Sequence, residues 1–150
     1  MNTQEHTDMK TQEHIVAFVE PTLDGEAALE VAQKTINSGG RATVVVLVSR
    51  QTMTDVRAFA ESEDLTVPDA TSIYFDRLAE TYASKLGNEN ASAVVTESVY
   101  SGRHLFDVAK RANPTTIVMP QRLASRRGWR SFVGRSQVPV LITPSAAAAA

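Results

Sequence analysis

The spacing of apolar residues changes period several times along this chain. His14-Ile15-Val16-Ala17-Phe18-Val19-Glu20 is apolar at nearly every position, as in a strand covered on both faces, and Pro21 stops it. Asp24 then stands as an N-cap with Glu26 in the first turn. Ala28, Leu29, Val31, Ala32, Thr35 and Ile36 recur at helical spacing until Asn37-Ser38-Gly39-Gly40 closes the helix. Thr43 to Val48 is a second, β-branched strand, and strand, helix and strand with short joints make a βαβ unit.

The middle of the chain predicts two helices, Thr54 to Glu63 and Asp69 to Leu86, divided by Val67-Pro68. Ile73, Leu78, Tyr82 and Leu86 share one face of the second, and Gly87 caps it. Ala91 to Thr96 is a weaker third strand. Ser101 caps a helix with Leu105, Val108, Ala109 and Ala112 on one side, ended by Asn113-Pro114. Thr115 to Met119 is the fourth strand and Val138 to Thr143 the fifth. Pro139 cannot donate to a ladder, which places the fifth strand at an edge.

Strands alternating with helices require crossovers, so the expected fold class is α/β: one doubly wound domain, a parallel sheet with helices on both faces. It occupies residues 14 to 143, between a polar N-terminal tail (1 to 13) and an Ala-rich C-terminal tail (144 to 150). A length of 150 residues leaves room for little more than one such core.

Composition narrows the setting. At 43% apolar and 21% charged residues the chain is of ordinary globular make-up. Having no cysteine, it has no disulfide framework, thiolate metal site or cysteine nucleophile, and a reducing cytoplasm is the expected location. The longest apolar run, around Val44 to Val48, falls far short of the roughly 20 residues of a membrane span. The polar N-terminus does not resemble a secretory leader.

Charge is segregated along the chain. Residues 1 to 100 carry 7 Lys and Arg against 16 Asp and Glu, and residues 101 to 150 carry 8 against 1. Arg122, Arg126, Arg127, Arg130 and Arg135 crowd into fourteen positions, which makes them candidates for an anionic partner such as RNA or another polyanion. A solvated face, or pairing with the acidic half of a second copy, explains the same cluster.

The run Ile15 to Glu20, the long helix ending in Gly39-Gly40 and the Val-rich second strand together resemble the universal stress protein family. So do Ser101-Gly102-Arg103 leading into a helix, Ile117-Val118-Met119-Pro120, and Val138-Pro139-Val140-Leu141-Ile142 near the end. The resemblance spans residues 14 to 143, with the middle helices matching in placement only. It implies a five-stranded parallel sheet in the order 3-2-1-4-5 and a homodimer formed through the fifth strand, here Val138, Val140, Leu141 and Ile142. It also implies that nucleotide-binding members hold ATP above the carboxyl ends of the first and fourth strands. Glu20, Pro21 and Thr22 would line that crevice on one side, and Pro120, Gln121 and Arg122 on the other.

Glu20 stands where those members carry an acidic residue, usually aspartate. Their glycine-rich loop after the fourth strand is not kept. Its first two glycine places hold Pro120, which has no amide proton, and Leu123, which brings a side chain. Gly134-Arg135-Ser136 lies near the third, with only Gln137 before the last strand. The segment reads instead as a two-turn helix with Ser125 as N-cap, Trp129, Phe132 and Val133 inward, Gly134 as stop, and Arg126, Arg127 and Arg130 outward. Trp129 then serves as a core or interface anchor, with base stacking as the competing role.

Other chemistry finds little support. His6, His14 and His104 have no partner at a recognisable spacing, and G-x-S-x-G, Walker A, G-x-G-x-x-G and H-E-x-x-H patterns are missing. An ATP-hydrolysing or phosphotransfer enzyme would lack both a phosphate cradle and a metal carboxylate pair. The expectation is therefore a non-enzymatic protein of universal stress type with no cofactor (ATP or AMP being the candidates weighed) and a degenerate nucleotide site. It would act in stress response or as an accessory subunit through protein contacts, as a homodimer or part of a complex. The alternative is a nucleotide- or polyanion-binding module that uses the arginine cluster.

Overall fold

A computed structural model describes residues 12–21, 25–87, 89–97, 102–126 and 128–144. Its strands are β1 (His14–Val19), β2 (Arg41–Val48), β3 (Ala91–Glu97), β4 (Thr116–Pro120) and β5 (Val140–Thr143). The helices are α1 (Glu26–Asn37), α2 (Arg50–Ser62), α3 (Val67–Leu86), α4 (Gly102–Arg111), α5 (Gln121–Ala124) and α6 (Arg130–Arg135). All strand pairs are parallel and the sheet order is β3-β2-β1-β4-β5. The Pro139 argument for an edge strand holds: the carbonyl of Pro139 accepts from Ile117 N at 2.9 Å, and β5 pairs with β4 alone.

Successive side chains of a strand point to opposite faces, and this sheet uses both. Ile15, Ala17 and Val19 of β1, Val44 and Val46 of β2 and Val118 of β4 face Ala28, Ala32 and Ile36 of α1 and Tyr82 and Leu86 of α3. Val16, Phe18, Val45, Leu47, Ile117 and Met119 face Leu105, Phe106 and Ala109 of α4 together with Leu123 and Trp129. Each fully buried Val, Leu, Ile or Phe contributes about 1.5–3 kcal/mol, so these two layers carry the fold. A smaller cluster of Val56, Ala60 and Ala70 joins α2 to α3.

Several boundaries differ from the sequence reading. α3 begins at Val67, because proline is tolerated in the first turn, where its missing amide proton has no helical partner. Thr66 caps it, its hydroxyl accepting from Asp69 N at 3.2 Å. Gly87 ends it as predicted. α2 begins four residues earlier than expected, capped by Ser49, whose Oγ accepts from Thr52 N at 3.1 Å. The cap of α1 is Gly25, with Asp24 and Ser101 lying outside the described residues.

His14 opens β1 beside a polar ladder. Its Nε2 lies 2.9 Å from Thr43 Oγ1, which in turn lies 3.1 Å from Ser92 Oγ across β2 and β3. Burial first, then the positive charge of Arg41, holds the imidazole pKa below its usual 6.5, with a backbone hydrogen bond to Ala112 opposing. The native state thus keeps His14 neutral to lower pH than the unfolded chain does. As pH falls below 6.5 the unfolded state takes up the proton first, and stability is lost until native His14 is protonated as well. The melting temperature is expected to drop between pH 7.5 and 5.5, more steeply in the native sequence than in His14→Gln. Parallel pH curves for the two proteins would refute this assignment.

Candidate functional site

The carboxyl ends of β1 and β4 are the candidate site, since helices pack on opposite faces of the sheet after these neighbouring strands, the arrangement that places a crevice between strand ends in open α/β sheets. On the β1 side the chain reaches α1 through Gly25, whose φ is 148°. A Cβ there would stand 2.7 Å from Val19 Cβ, so only glycine lets α1 start so close to the strand. This tight return leaves Glu20 at the base of the crevice, 5% exposed, with Pro21 half-buried beyond it. Thr22 lies outside the described residues.

On the β4 side, buried Pro120 is the N-cap of α5, which begins at once with Gln121. Gln121 and Arg122 are exposed, whereas Leu123 is fully buried in the layer that contains Phe18, Met119 and Trp129. Four of the amides that follow are spent on local carbonyls. Ser125 N donates to Gln121 O, Arg126 N to Leu123 O, Trp129 N to Arg126 O and Val133 N to Trp129 O, at 2.9–3.1 Å.

The expected two-turn helix from Ser125 is corrected. Ser125 closes α5 as its C-cap, a turn follows, and α6 starts only at Arg130 with Trp129 as its N-cap and Gly134 inside it. Trp129 is nevertheless the anchor expected, 4% exposed, its ring edge-on to Phe18 at 5.3 Å and tilted against Phe106 at 5.7 Å. Phe132 and Val133 are half-buried against the same layer.

The later helix start redirects Arg126. Instead of facing outward, it turns into the crevice, and its Nη2 donates to Glu20 Oε2 at 2.7 Å. This is the single ion pair among the described residues. The other carboxylate oxygen, Oε1, is buried and has no hydrogen-bond partner among the described residues. Of the remaining cluster, Arg122, Arg130 and Arg135 are exposed and Arg127 lies outside the described residues. The structure therefore brings together Glu20, Pro120, Leu123 and Arg126, and leaves Arg122, Arg130 and Arg135 exposed.

On β5, Leu141 and Ile142 are exposed (46% and 39%), Val140 is half-buried, and Val138 sits just before the strand. No group of three His, Cys, Asp or Glu suited to a metal ion occurs among the described residues, and none of their helices is long and apolar enough to cross a membrane. The Arg126 to Glu20 pairing escaped the sequence reading. Its signal, a lone acid at a strand end and an arginine 106 residues on, has meaning only after the fold brings them together.

No protein-family model and no curated protein sequence matches this chain. Solved structures do. A protein from the universal stress protein family of Burkholderia pseudomallei superposes with a TM-score of 0.55 at 14% identity, over 88% of this chain and 96% of that one. A hypothetical protein whose structure was used to assign its biochemical function superposes with a TM-score of 0.51 at 12% identity, over 88% and 95%. A universal stress protein in complex with cAMP gives 0.50 at 14% identity, over 87% and 96%. At such identities the agreement concerns architecture, and it matches the strand order found here: the chain has the universal stress protein fold.

Proposed function

We propose that this is a non-enzymatic protein of universal stress type whose nucleotide crevice has been given over to internal packing, and that it works in the cytoplasm through contacts with other proteins. The observation that carries this reading is the Arg126 to Glu20 ion pair inside the crevice. Nucleotide held by main-chain amides does not fit the residues present: Pro120 has no amide proton, Leu123 is in the core, and the amides of Ser125, Arg126, Trp129 and Val133 already serve local carbonyls. No step of a reaction is assigned to this site.

Calorimetric titration with ATP, AMP and cAMP is expected to give no saturable binding up to millimolar ligand. Micromolar binding of any of the three would overturn the reading. cAMP belongs in the set because one structure of this fold contains it.

The contact surface nearest to hand is the free edge of β5. An unpaired strand edge with exposed Leu141 and Ile142 offers main-chain groups and apolar side chains to a second copy. A Leu141→Lys substitution is expected to reduce the association state seen by light scattering while leaving the melting curve within about 0.5 kcal/mol of the original, as for surface positions generally. Unchanged association would remove β5 as the interface.

The exposed Arg122, Arg130 and Arg135 favour a second reading, polyanion binding, and Arg126 weakens it because that side chain is already paired. Retention on a polyanion column that falls steeply with salt, and is lost when these three are neutralised, would establish it.

A further inference from the structure

A groove of about 390 Å³ runs between α2 and α3, away from the crevice and from β5. It is lined by Thr52, Asp55, Val56 and Phe59 from one helix and Ala70, Ile73, Tyr74 and Arg77 from the other. Each set follows an i, i+3, i+4, i+7 spacing, so each helix presents one continuous stripe. Val56 and Ala70 form the floor, and Phe59 and Ile73 stand exposed at 46% and 39%. Exposed aromatic and aliphatic side chains grouped in one furrow call for a cover.

The charges decide what the cover is. α2 and α3 follow one another through the short link 63–66, which makes them antiparallel neighbours, so Phe59 and Ala70 mark the end near the link and Thr52 and Arg77 the far end. Asp55 on α2 and Arg77 on α3 are both exposed and do not pair with each other. The only side-chain hydrogen bond that Asp55 receives among the described residues comes from Gln51, at 3.3 Å.

We propose that this groove is a self-association surface occupied by the α2–α3 face of a second copy. A two-fold axis lying along the groove sets α2 of each copy over α3 of the other and keeps the polar ends together. Asp55 of each copy then meets Arg77 of the other, twice by symmetry, and Phe59 of each covers the Ala70 and Ile73 stretch of the other. A partner with one sign of charge would satisfy only one of the two residues, whereas a second copy satisfies both. This surface is separate from the β5 edge, so the two contacts fail independently.

The test uses the full chain carrying Leu141→Lys, which removes the β5 contact. Sedimentation velocity between 1 and 200 µM, roughly the range in which modest interfaces dissociate, is expected to show a monomer–dimer equilibrium. Asp55→Arg and Arg77→Asp should each weaken dimerisation by roughly tenfold or more, and the double swap should restore it. All four residue states are on the surface, and circular dichroism melts confirm folding. A Leu141→Lys protein that stays monomeric throughout, single swaps without effect, or a double swap that fails to rescue would each overturn the proposal. Association that persists only when Leu141 is intact would leave the β5 reading standing and this one refuted.

Discussion

Trp129→Ala is expected to cost about 3–5 kcal/mol, the range for removing a large buried aromatic side chain. The indole is 4% exposed and completes an aromatic group with Phe18 from β1, Phe106 from α4 and Phe132 from α6. Edge-on and tilted ring contacts of this kind add about 0.5–1.5 kcal/mol beyond area burial. The site cannot collapse easily to fill the void, because its floor is the central strand. Its roof is equally constrained: a Cβ on Gly102 would lie 3.1 Å from the Trp129 ring and from Gly128 O, so α4 starts with glycine in order to pack against the indole. For a chain of this size the loss corresponds to a drop in melting temperature of roughly 10 °C. Circular dichroism is the right measurement, since Trp129 is the only tryptophan and its removal abolishes intrinsic indole fluorescence. Trp129→Phe, which keeps a ring in place, should lose less than half as much. A Trp129→Ala protein with an unchanged melting curve would mean that the α5–α6 segment is not part of the core.

How the chain announces its architecture, and where it stops doing so, follows from the range of the forces involved. β1 and β2 were legible because a strand buried on both faces must be apolar at successive positions, as Ile15 to Val19 and Val44 to Val48 are. The edge position of β5 was legible because Pro139 lacks a donor. α3 starts two residues before the Asp69 that the pattern predicts, because Val67-Pro68 looks like a break when in fact Thr66-Val67-Pro68-Asp69 is a capped first turn. The ladder of His14, Thr43 and Ser92 was missed: it depends on the register of three parallel strands, which no local pattern specifies, although a polar residue near the start of each strand was there to be noticed. The direction of Arg126 was hardest to foresee. A helix counted from Ser125 puts Arg126 on the outer face. A turn there, with the helix delayed to Arg130, swings it toward Glu20. Four residues in the position of a helix start separate a solvated arginine from one paired with the buried carboxylate of Glu20.

Leu123→Gly should destabilise the protein by about 4 kcal/mol and should not create a nucleotide site. Leu123 has no exposed surface, and leucine truncation in a core typically costs 2–5 kcal/mol, with about 1 kcal/mol more for glycine in a helical turn. Adding Pro120→Gly frees one amide but leaves those of Ser125, Arg126, Trp129 and Val133 committed to local carbonyls, and leaves the Arg126 guanidinium across the crevice on Glu20. Urea denaturation of the double variant should therefore show a large loss of stability, and calorimetry with ATP under conditions where it remains folded should show no saturable heat. Removing Arg126 instead has the opposite profile: it unseats no apolar side chain, but it leaves the Glu20 carboxylate buried with neither oxygen paired among the described residues, at a cost of about 2 kcal/mol once the half-exposed position of the arginine is allowed for. If the glycine variant kept its stability and gained micromolar ATP affinity, the crevice would be a nucleotide site blocked by one side chain. If it unfolds early and binds nothing, the place of the second loop glycine belongs to the hydrophobic core, and the crevice closes for the same reason that the sheet is covered.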